Sequence, residues 1–360
     1  MKKILLATVV AVVCSTSAVL AADMKVKAPA APPPPPSPWD IAFGAGVYSD
    51  YVFRGISQSN HKPAVNAYFE PRYNVSEYLQ LYAGVGGWSL AFANRTSAEI
   101  DIYGGFRPIF GKLAFDFGVW YYYYPGGQCF NANIDVAGNT FGADCFVNGS
   151  LPVSFNVIKR DLSFLEYYGK VAWTPTDTFG IGAAVYYDPD WLQFGTDGLY
   201  AAGNIKLTAP SSWMPAGTGL YLSAEIGRYW FGTTDSFYCT AGVTPASVAA
   251  GAAGQCGGGN GFAYSAFQNA SVYPFGVPLP DYTTWNVGVG LTWSVFTVDV
   301  RYYDTDLSEA SCNVLTSDFT ATFSPSNITA INPGGFGSKW CGQTFVISLK
   351  GDLTWGANIK

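Results

Sequence analysis

Few residue combinations in this sequence are suited to catalysis. His61 is the only histidine, and it lies in a short polar stretch beside Lys62 and Pro63. Most acid–base and nucleophilic enzymes need a histidine held between a nucleophile and an orienting carboxylate. The chain also has no CxxC pair, and no glycine-rich phosphate loop connects a strand to a helix. These features predict that the protein is not an enzyme and uses no metal or cofactor.

Charged side chains recur instead at every second position of extended stretches. Glu99 and Asp101 form one such pair, and Asp299 and Arg301 form another. Side chains of a strand alternate between its two faces, so each pair lies on one face. The last regular stretch, Phe345–Trp355, repeats the pattern with apolar residues on one face and polar residues on the other. Such two-faced strands suit a soluble sandwich, or a membrane barrel with a polar lumen.

The alternation predicts a polar set facing the interior of a barrel, and its role is open. In one interpretation the acids and bases pair across the barrel and fill it. In the other they line a narrow aqueous channel, which inward glycines such as Gly44, Gly84 and Gly290 favour because they leave room for water. The candidate pore-lining residues are Asp50, Arg54, Glu70, Arg72, Glu99, Asp101, Arg107, Asp116, Glu166, Lys170, Lys206, Glu225, Asp299, Arg301, Lys350 and Asp352.

Composition separates the barrel from the soluble sandwich. Only 12% of the 360 residues are charged and 17% are aromatic, whereas roughly a quarter of the residues in soluble domains are charged. After the first forty residues no apolar run approaches the roughly 20 residues of a membrane helix. The formal net charge of −6 gives no indication of nucleic-acid binding. Together these features favour a transmembrane β-barrel.

The N-terminal residues predict export. Lys2 and Lys3 precede the apolar run Ile4–Val13, and small residues follow at Ala21 and Ala22. This is the pattern of a cleaved signal peptide, which we place at residues 1–22. A proline-rich periplasmic linker, 23–38, and an outer-membrane barrel, 39–360, complete the predicted organisation. The predicted location is the outer membrane of a Gram-negative bacterium.

The predicted fold is all-β, an antiparallel up-and-down barrel of about twelve strands. The connections after strands 5, 9 and 11 are the longest, whereas short turns join strand 2 to 3, 4 to 5, 6 to 7 and 10 to 11. Outer-membrane barrels show this parity, in which short periplasmic turns at one end alternate with long extracellular loops at the other. The predicted strands are Trp39–Arg54, Pro63–Asn74, Leu79–Phe92, Ala98–Ile109, Lys112–Tyr124, Leu162–Thr174, Thr178–Asp188, Gly198–Thr208, Thr218–Phe231, Asp281–Ser294, Phe296–Asp304 and Phe345–Trp355.

Two local predictions follow from this strand assignment. In the first strand the alternation places Tyr51 and Phe53 outward. It places Asp50 and Arg54 inward, close enough for a diagonal or water-bridged pair. The consecutive tyrosines Tyr121–Tyr124 are a candidate part of an aromatic girdle at the membrane interface.

Six cysteines follow the signal peptide, two in each of the three longest loops. An even number of cysteines in an exported chain indicates disulfides, and six cysteines allow 15 pairings. Pairing within each loop is the favoured arrangement, and it would stabilise each loop by roughly 2–4 kcal/mol. The candidate disulfides are Cys129–Cys145, Cys239–Cys256 and Cys312–Cys341.

Three motifs resemble a known family. They are SDYVFRGISQS at Ser49–Ser59, followed by Lys62-Pro63-Ala64, then EIDIYGGF at Glu99–Phe106 and YYDTDL at Tyr302–Leu307. They resemble the TorF family of porins, which carry the Gcw_chp domain. The resemblance extends over Trp39–Trp355 and implies an outer-membrane location and a pore.

The sequence therefore predicts a porin-like channel for passive diffusion of small hydrophilic solutes. The alternative is a non-conducting structural or surface-binding barrel that acts through long, disulfide-closed extracellular loops. In either case the expected partners are outer-membrane lipid and lipopolysaccharide and the barrel-assembly machinery, with small solutes as the cargo of a channel. The sequence leaves open whether several barrels associate into a homo-oligomer.

Overall fold

The protein is a closed antiparallel β-barrel in a computed structural model that describes residues 38–128, 158–234, 278–328, 332 and 335–359. Within these residues twelve strands form the barrel, as predicted. The strands are β1 (Trp39–Tyr48), β2 (Ala64–Ser76), β3 (Leu79–Ser89), β4 (Ala98–Phe110), β5 (Leu113–Tyr123), β6 (Phe164–Thr176), β7 (Phe179–Asp188), β8 (Gly198–Thr208), β9 (Thr218–Phe231), β10 (Tyr282–Trp293), β11 (Phe296–Thr305) and β12 (Thr344–Thr354).

The first and last strands close the barrel. Antiparallel pairing of β1 with β12 runs from Ala42 opposite Thr354 to Tyr48 opposite Ser348. On its other side β1 pairs with β2, and Tyr48 lies opposite Ala64. Closure leaves no unpaired strand edge, which is what a sheet needs where no water is present to bond the backbone.

The outer surface of the barrel is apolar. Phe69 is 48% exposed, Ile102 54% and Ile347 57%, and each lies near the middle of its strand. In soluble proteins such side chains form the core, and contiguous apolar surface on this scale marks contact with lipid or another protein. Val346, which breaks the alternation of β12, is buried and faces inward.

Exposed aromatic side chains lie near both ends of the strands. At the end with the short turns they are Trp39, Tyr73, Tyr78, Phe110, Trp173, Trp213, Trp293 and Trp355, and at the other end Tyr121, Tyr123, Tyr167, Tyr187, Trp230 and Phe345. Two aromatic bands flanking an apolar zone are typical of outer-membrane barrels. The predicted girdle at 121–124 is therefore half correct, because Tyr122 and Tyr124 are buried inside.

The connections show the predicted parity. Turns of two residues join β2 to β3, β4 to β5, β6 to β7 and β10 to β11, and the long connections lie at the opposite end. The loop after β11 contains a short helix, α1 (Glu309–Thr316), whose first turn is capped by Ser308. The short 3-10 segments are Trp191–Gln193, Ser211–Trp213 and Pro325–Asn327, a π turn spans Trp355–Ile359, and a two-residue strand pair joins Thr322–Phe323 to Phe336–Gly337.

One predicted disulfide lies in the described region. Cys312 and Cys341 are bonded, with their Cα atoms 5.8 Å apart. The bond ties α1 to the segment that precedes β12. The pairs Cys129–Cys145 and Cys239–Cys256 lie outside the described residues, as do the predicted signal peptide and all but the last residue of the linker. None of the helices in the described ranges is long and apolar enough to cross a membrane.

Side chains, rather than water, occupy the space beside several inward glycines. A Cβ atom at Gly44 would lie 2.7 Å from the Tyr68 ring and 2.7 Å from the Asp352 carboxylate. Tyr103 lies in the same way over Gly84, and Tyr221 over Gly290. The expectation that these glycines leave room for water is wrong, because large side chains from neighbouring strands lie across them. The alternation predicts which face a glycine is on but not what covers it.

The first predicted strand is too long. β1 ends at Tyr48, and residues 49–63 turn into the barrel before β2 begins. We call residues 49–63 the plug loop. Tyr51 and Phe53, predicted to face outward, instead pack inside the barrel: Tyr51 is buried and stacks on Trp88 with ring centroids 4.0 Å apart.

The outward-apolar arrangement can be tested with one substitution on each face of β10. Val289 is outward and 47% exposed, whereas Thr292 lies on the inward face. Arginine at a lipid-facing position near the bilayer midplane costs about 2–4 kcal/mol. We expect Val289→Arg to lower the free energy of unfolding by roughly that amount in lipid vesicles.

Reversible guanidinium unfolding of the refolded barrel is the measurement, with Thr292→Arg as the matched control, because a lumen position tolerates charge. A larger loss for Thr292→Arg than for Val289→Arg would contradict the assignment of the two faces.

Candidate functional site

The candidate site is the neck of the barrel, where the plug loop meets the inner wall. The loop forms a small hairpin in which Val52–Phe53 pairs with Ile56–Ser57. Its two central residues, Arg54 and Gly55, have φ values of 47° and 84°, as in a type I′ turn. A Cβ atom at Gly55 would collide with the Thr284 side chain of β10, so the tip of the hairpin lies directly against the wall.

Arg54 projects from this tip to the opposite wall. Its guanidinium donates two hydrogen bonds to the Glu166 carboxylate on β6, at 2.6 and 2.9 Å. Both side chains are almost completely buried. The Tyr122 hydroxyl donates a third hydrogen bond to Glu166 at 3.1 Å. Bidentate pairing fixes direction as well as distance, so this ion pair, the arginine clamp, holds the plug loop in one position.

Aromatic rings enclose the guanidinium on its remaining sides. The Arg54 Cζ atom lies 4.5 to 4.9 Å from four ring centroids. One ring, Phe53, belongs to the plug loop. The other three are Tyr186 on β7, Tyr200 on β8 and Tyr229 on β9. Cation–π contacts within about 6 Å are attractive, and more so where water is excluded.

Asp50 anchors the base of the plug loop. Its carboxylate accepts hydrogen bonds from the Ser57 and Ser59 hydroxyls, both at 2.7 Å, and lies 2.8 Å from Nδ1 of His61. The predicted pair of Asp50 with Arg54 is therefore wrong. The chain leaves the strand geometry at Tyr48, so the rule that placed the two residues on one face no longer applies.

His61 links the plug loop to the loop that precedes β12. Its Nε2 atom lies 3.1 Å from the carbonyl oxygen of Lys339. The hydrogen bond with Asp50 raises the pKa of His61, as do the Lys339 carbonyl and the charges of Asp50 and Asp318. One ring nitrogen of His61 is hydrogen-bonded to Asp50 and the other to the Lys339 carbonyl. Neither nitrogen is therefore directed at a serine hydroxyl. The absence of enzymatic activity nevertheless remains a prediction.

An apolar cluster of loop residues covers the plug loop on its outer side. Ile56 is buried in this cluster with Leu162, Trp191 and Trp340. The backbone N–H of Ser57 donates to the Trp340 carbonyl at 2.8 Å. The plug loop is therefore fixed to the wall on its inner side and to the extracellular loops on its outer side.

Two further predicted residues, Glu99 and Asp101, lie close to the neck. Glu99 accepts hydrogen bonds from the Tyr51 hydroxyl at 2.7 Å and the Tyr124 hydroxyl at 2.8 Å. Asp101 accepts one from the Trp120 indole at 3.0 Å. Both carboxyl groups are buried. Glu99 therefore binds the plug loop as well as the wall.

Below the neck, on the side of the short turns, the inward charges form compact groups. Glu70 accepts hydrogen bonds from Arg72 at 2.6 Å and from Arg107 at 2.8 Å, and Arg107 also reaches Asp116 at 3.3 Å. These contacts join β2, β4 and β5 across the lumen face. This part of the barrel matches the interpretation in which acids and bases pair with each other.

The opposite wall carries a second group. Arg301 bonds Asp299 at 3.0 Å, Asn286 at 2.7 Å and Ser223 at 2.8 Å. Other predicted residues contact hydroxyls or rings: the Tyr68 hydroxyl donates to Asp352, the Tyr200 hydroxyl donates to Glu225, Lys170 lies over the Tyr168 ring and Lys206 over the Tyr221 ring. Lys350 lies on β12 opposite Gly46 and Thr297. A role of any of these residues in solute passage remains a prediction.

A polar cavity of about 370 Å³ lies between the plug loop and this wall. Arg54 and Gly55 line it from the loop, and Glu225, Asn286 and Arg301 line it from the strands. The cavity is large enough for several water molecules or a small solute. Polar space therefore exists inside the barrel beneath the closed neck. Among the described residues no group of three His, Cys, Asp or Glu side chains could hold a metal ion.

A family model described as a bacterial protein of unknown function (Gcw_chp) matches residues 33–181. The resemblance to the Gcw_chp family inferred from the motifs is therefore confirmed over this part of the chain, which contains the plug loop and Glu166. A search of curated proteins finds no match.

Several solved barrels are similar in fold. The COG4313 outer membrane channel from Pseudomonas putida F1 is 8% identical, with 89% of this chain and 96% of that chain covered and a TM-score of 0.37. OmpT, an outer membrane protein of Vibrio cholerae, is 11% identical, with 90% and 100% covered and a TM-score of 0.33. The NanC porin is 7% identical, with 88% and 98% covered and a TM-score of 0.35. At these values the likeness concerns the general barrel fold alone.

Sequence reasoning missed the aromatic enclosure of Arg54. Tyr186, Tyr200 and Tyr229 lie on three different strands, and no local pattern relates them to residue 54. One local signal was present: Arg54-Gly55 lies between apolar residues in VFRGIS, and glycine favours the positive φ of a tight hairpin turn. That signal predicts a turn at this point but not its insertion into the lumen.

Removing the charge of Glu166 tests the arginine clamp. In Glu166→Gln the buried Arg54 loses its ionised partner. Removing one partner of a buried ion pair lowers the free energy of unfolding by about 3–5 kcal/mol. We expect amide hydrogen exchange of the plug loop to accelerate strongly. In Arg54→Ala/Glu166→Gln no unpaired charge is left, so the free energy of unfolding should be higher than in Glu166→Gln alone.

The matched control is Asp299→Asn, which disturbs an ion pair within a single strand. It should leave the exchange of residues 49–63 unchanged. Equal acceleration in Glu166→Gln and Asp299→Asn would contradict a specific role for the clamp.

The His61 contact predicts a pH dependence of the plug loop. The pKa of His61 is raised above its unfolded value of about 6.5. The stabilisation by His61 is therefore fully present below about pH 6.5 and is lost as the pH rises through the raised folded pKa. Hydrogen exchange of the plug loop, corrected for the intrinsic effect of pH, should accelerate over that interval.

His61→Gln is the control, because glutamine keeps hydrogen-bonding capacity but does not titrate. Its corrected exchange should not vary over the same interval. An unchanged pH dependence in His61→Gln would assign the effect to another group.

Proposed function

We propose that this protein is an outer-membrane channel for small hydrophilic solutes that is closed at the extracellular end by the plug loop. The observation that carries the proposal is the arginine clamp: a hairpin from the chain itself enters the lumen and is bonded to the opposite wall through Arg54 and Glu166. A channel that is closed for part of the time needs an element of this kind, whereas a non-conducting barrel could fill its lumen with strand side chains alone.

The lumen below the neck supports a conducting role. It contains a polar cavity lined by charged and amide side chains, and ionisable groups continue along β2, β4 and β11 towards the short turns. A barrel filled only for stability could bury apolar residues at lower desolvation cost. The proposed route passes through this polar interior when the plug loop moves aside.

The exterior supports placement in the outer membrane, with lipid and lipopolysaccharide as the surroundings of the barrel. The apolar zone with its two aromatic bands suits a bilayer. The signal peptide proposed at 1–22 would supply export, and the barrel-assembly machinery would then insert the chain. In this orientation the plug loop, α1 and the Cys312–Cys341 disulfide face the outside of the cell.

A second function is supported by the contacts of the plug loop on both of its sides. The plug loop is bonded outward to Trp340 and inward to Glu166, and an apolar cluster joins several loops above it. If this assembly never opens, the protein is a non-conducting barrel that acts through its extracellular surface. The two proposals differ in whether the intact protein ever conducts, and removal of the plug loop shows whether the lumen beneath it can form a pore at all.

Replacement of residues 49–63 by Asn-Gly provides the test. Tyr48 and Ala64 are directly paired, so a two-residue turn can join β1 to β2. In planar bilayers the intact protein should be closed for most of the time. The shortened variant should show discrete, long-lived conductance steps that scale with salt concentration.

The control is the same Asn-Gly replacement of residues 90–97, since Ser89 and Ala98 are paired in the same way at the same end. This variant loses the hydrogen bond from the Ala91 N–H to the Gln58 carbonyl but retains the arginine clamp, so it should remain closed. A folded 49–63 replacement that does not conduct would overturn the channel proposal in favour of the non-conducting barrel. An intact protein that is constantly open would contradict the role of the plug loop.

A further inference from the structure

The groups that hold Arg54 constitute a binding site in their own right. The carboxylate of Glu166 and three tyrosine rings surround a guanidinium that the plug loop supplies. We propose that this part of the wall is a recognition site for solutes that carry a guanidinium or an alkylammonium group, and that Arg54 occupies it while the channel is closed. The inference rests on the proposed function, because it names the class of solute that the opened neck would accept.

The wall side of the site is held independently of Arg54. The Tyr122 hydroxyl bonds Glu166, and the Tyr200 hydroxyl lies 3.4 Å from a Glu225 oxygen. Tyr229 packs against Phe231 with ring centroids 4.2 Å apart. All these contacts lie within the barrel strands. Withdrawal of the plug loop would therefore leave the carboxylate and the rings close to their present positions, as a preformed site requires.

Two buried polar atoms add a second observation. Asp188, at the end of β7, and Tyr229 are both completely or almost completely buried. Among the described residues neither Asp188 Oδ2 nor the Tyr229 hydroxyl has a hydrogen-bond partner. Buried polar atoms are nearly always paired. Asp188 lies on the strand that carries Tyr186, and Tyr229 is itself one of the rings of the site, so both atoms are acceptors that a bound solute could use.

The chemistry of the site selects the class of solute. Stacked tyrosine faces attract cations whose charge is spread over carbon or planar nitrogen, and these cations lose less hydration energy than sodium does. Glu166 favours donors that form two parallel hydrogen bonds. A neutral urea can still offer two parallel N–H donors to Glu166, but it obtains neither the charge assistance of those bonds nor the cation–π attraction. The site should therefore distinguish ethylguanidinium from ethylurea.

The experiment measures binding rather than conductance, so the failure of one proposal can be told from the failure of the other. Arg54→Ala leaves the wall intact and the site without its guanidinium. Calorimetric titration of the refolded full-length variant with ethylguanidinium should show binding at least about tenfold tighter than with ethylurea, and tetramethylammonium should bind through the rings alone. The intact protein should bind neither cation, since Arg54 fills the site.

Two variants control the result. Arg54→Ala/Glu166→Gln should lose most of the preference for ethylguanidinium but keep weak binding of tetramethylammonium. Arg301→Ala also removes a lumen arginine, but one held by Asp299, Asn286 and Ser223 rather than by four rings. Tetramethylammonium should not bind in the space that Arg301→Ala leaves.

If Arg54→Ala fails to fold, the variant with Asn-Gly in place of residues 49–63 offers the same exposed wall. Equal affinity for ethylguanidinium and ethylurea, or no binding of either cation to the folded variants, would overturn the inference. If the 49–63 replacement does not conduct but still binds ethylguanidinium, the recognition site stands and only the channel proposal is rejected.

Discussion

One buried ion pair holds the plug loop across the lumen of this barrel. Arg54 and Glu166 lie more than a hundred residues apart in the sequence, on the plug loop and on β6, and their contact fixes the hairpin across the lumen. Because both groups are shielded from water, either one alone would be an uncompensated buried charge. The aromatic rings around Arg54 and the hydrogen bonds of Asp50 add further contacts to the hairpin, and the apolar cluster covers its outer side.

A second constraint, the membrane, determines the rest of the architecture. Every backbone group at membrane depth must be paired, so the sheet is closed, and its outer face must be apolar. Most charged side chains of the strands are thereby directed into a limited interior. There they form ion pairs such as Glu70 with Arg107, while glycines such as Gly84 make room for tyrosine rings from the next strand.

The sequence alone was sufficient to predict the strands because alternation is a local property. All twelve strands were predicted, and eleven of them within about two or three residues at each end; the lumen face of Glu70, Asp101 and Arg301 follows from the same rule. What the rule could not predict is the plug loop, where Tyr51, Phe53 and Arg54 leave the strand. Their positions depend on contacts with β4, β6 and β9, which no spacing within the first strand encodes.

The most direct test of the central claim is the environment of Arg54 in the refolded barrel. In an NMR spectrum of protein labelled with nitrogen-15 arginine, the Arg54 guanidinium protons should be shifted upfield by the surrounding rings and should exchange slowly with water. The same signals should move to ordinary positions in Glu166→Gln. Rapid exchange and an unshifted position in the intact protein would mean that Arg54 is in water, and that the barrel is not closed by this residue.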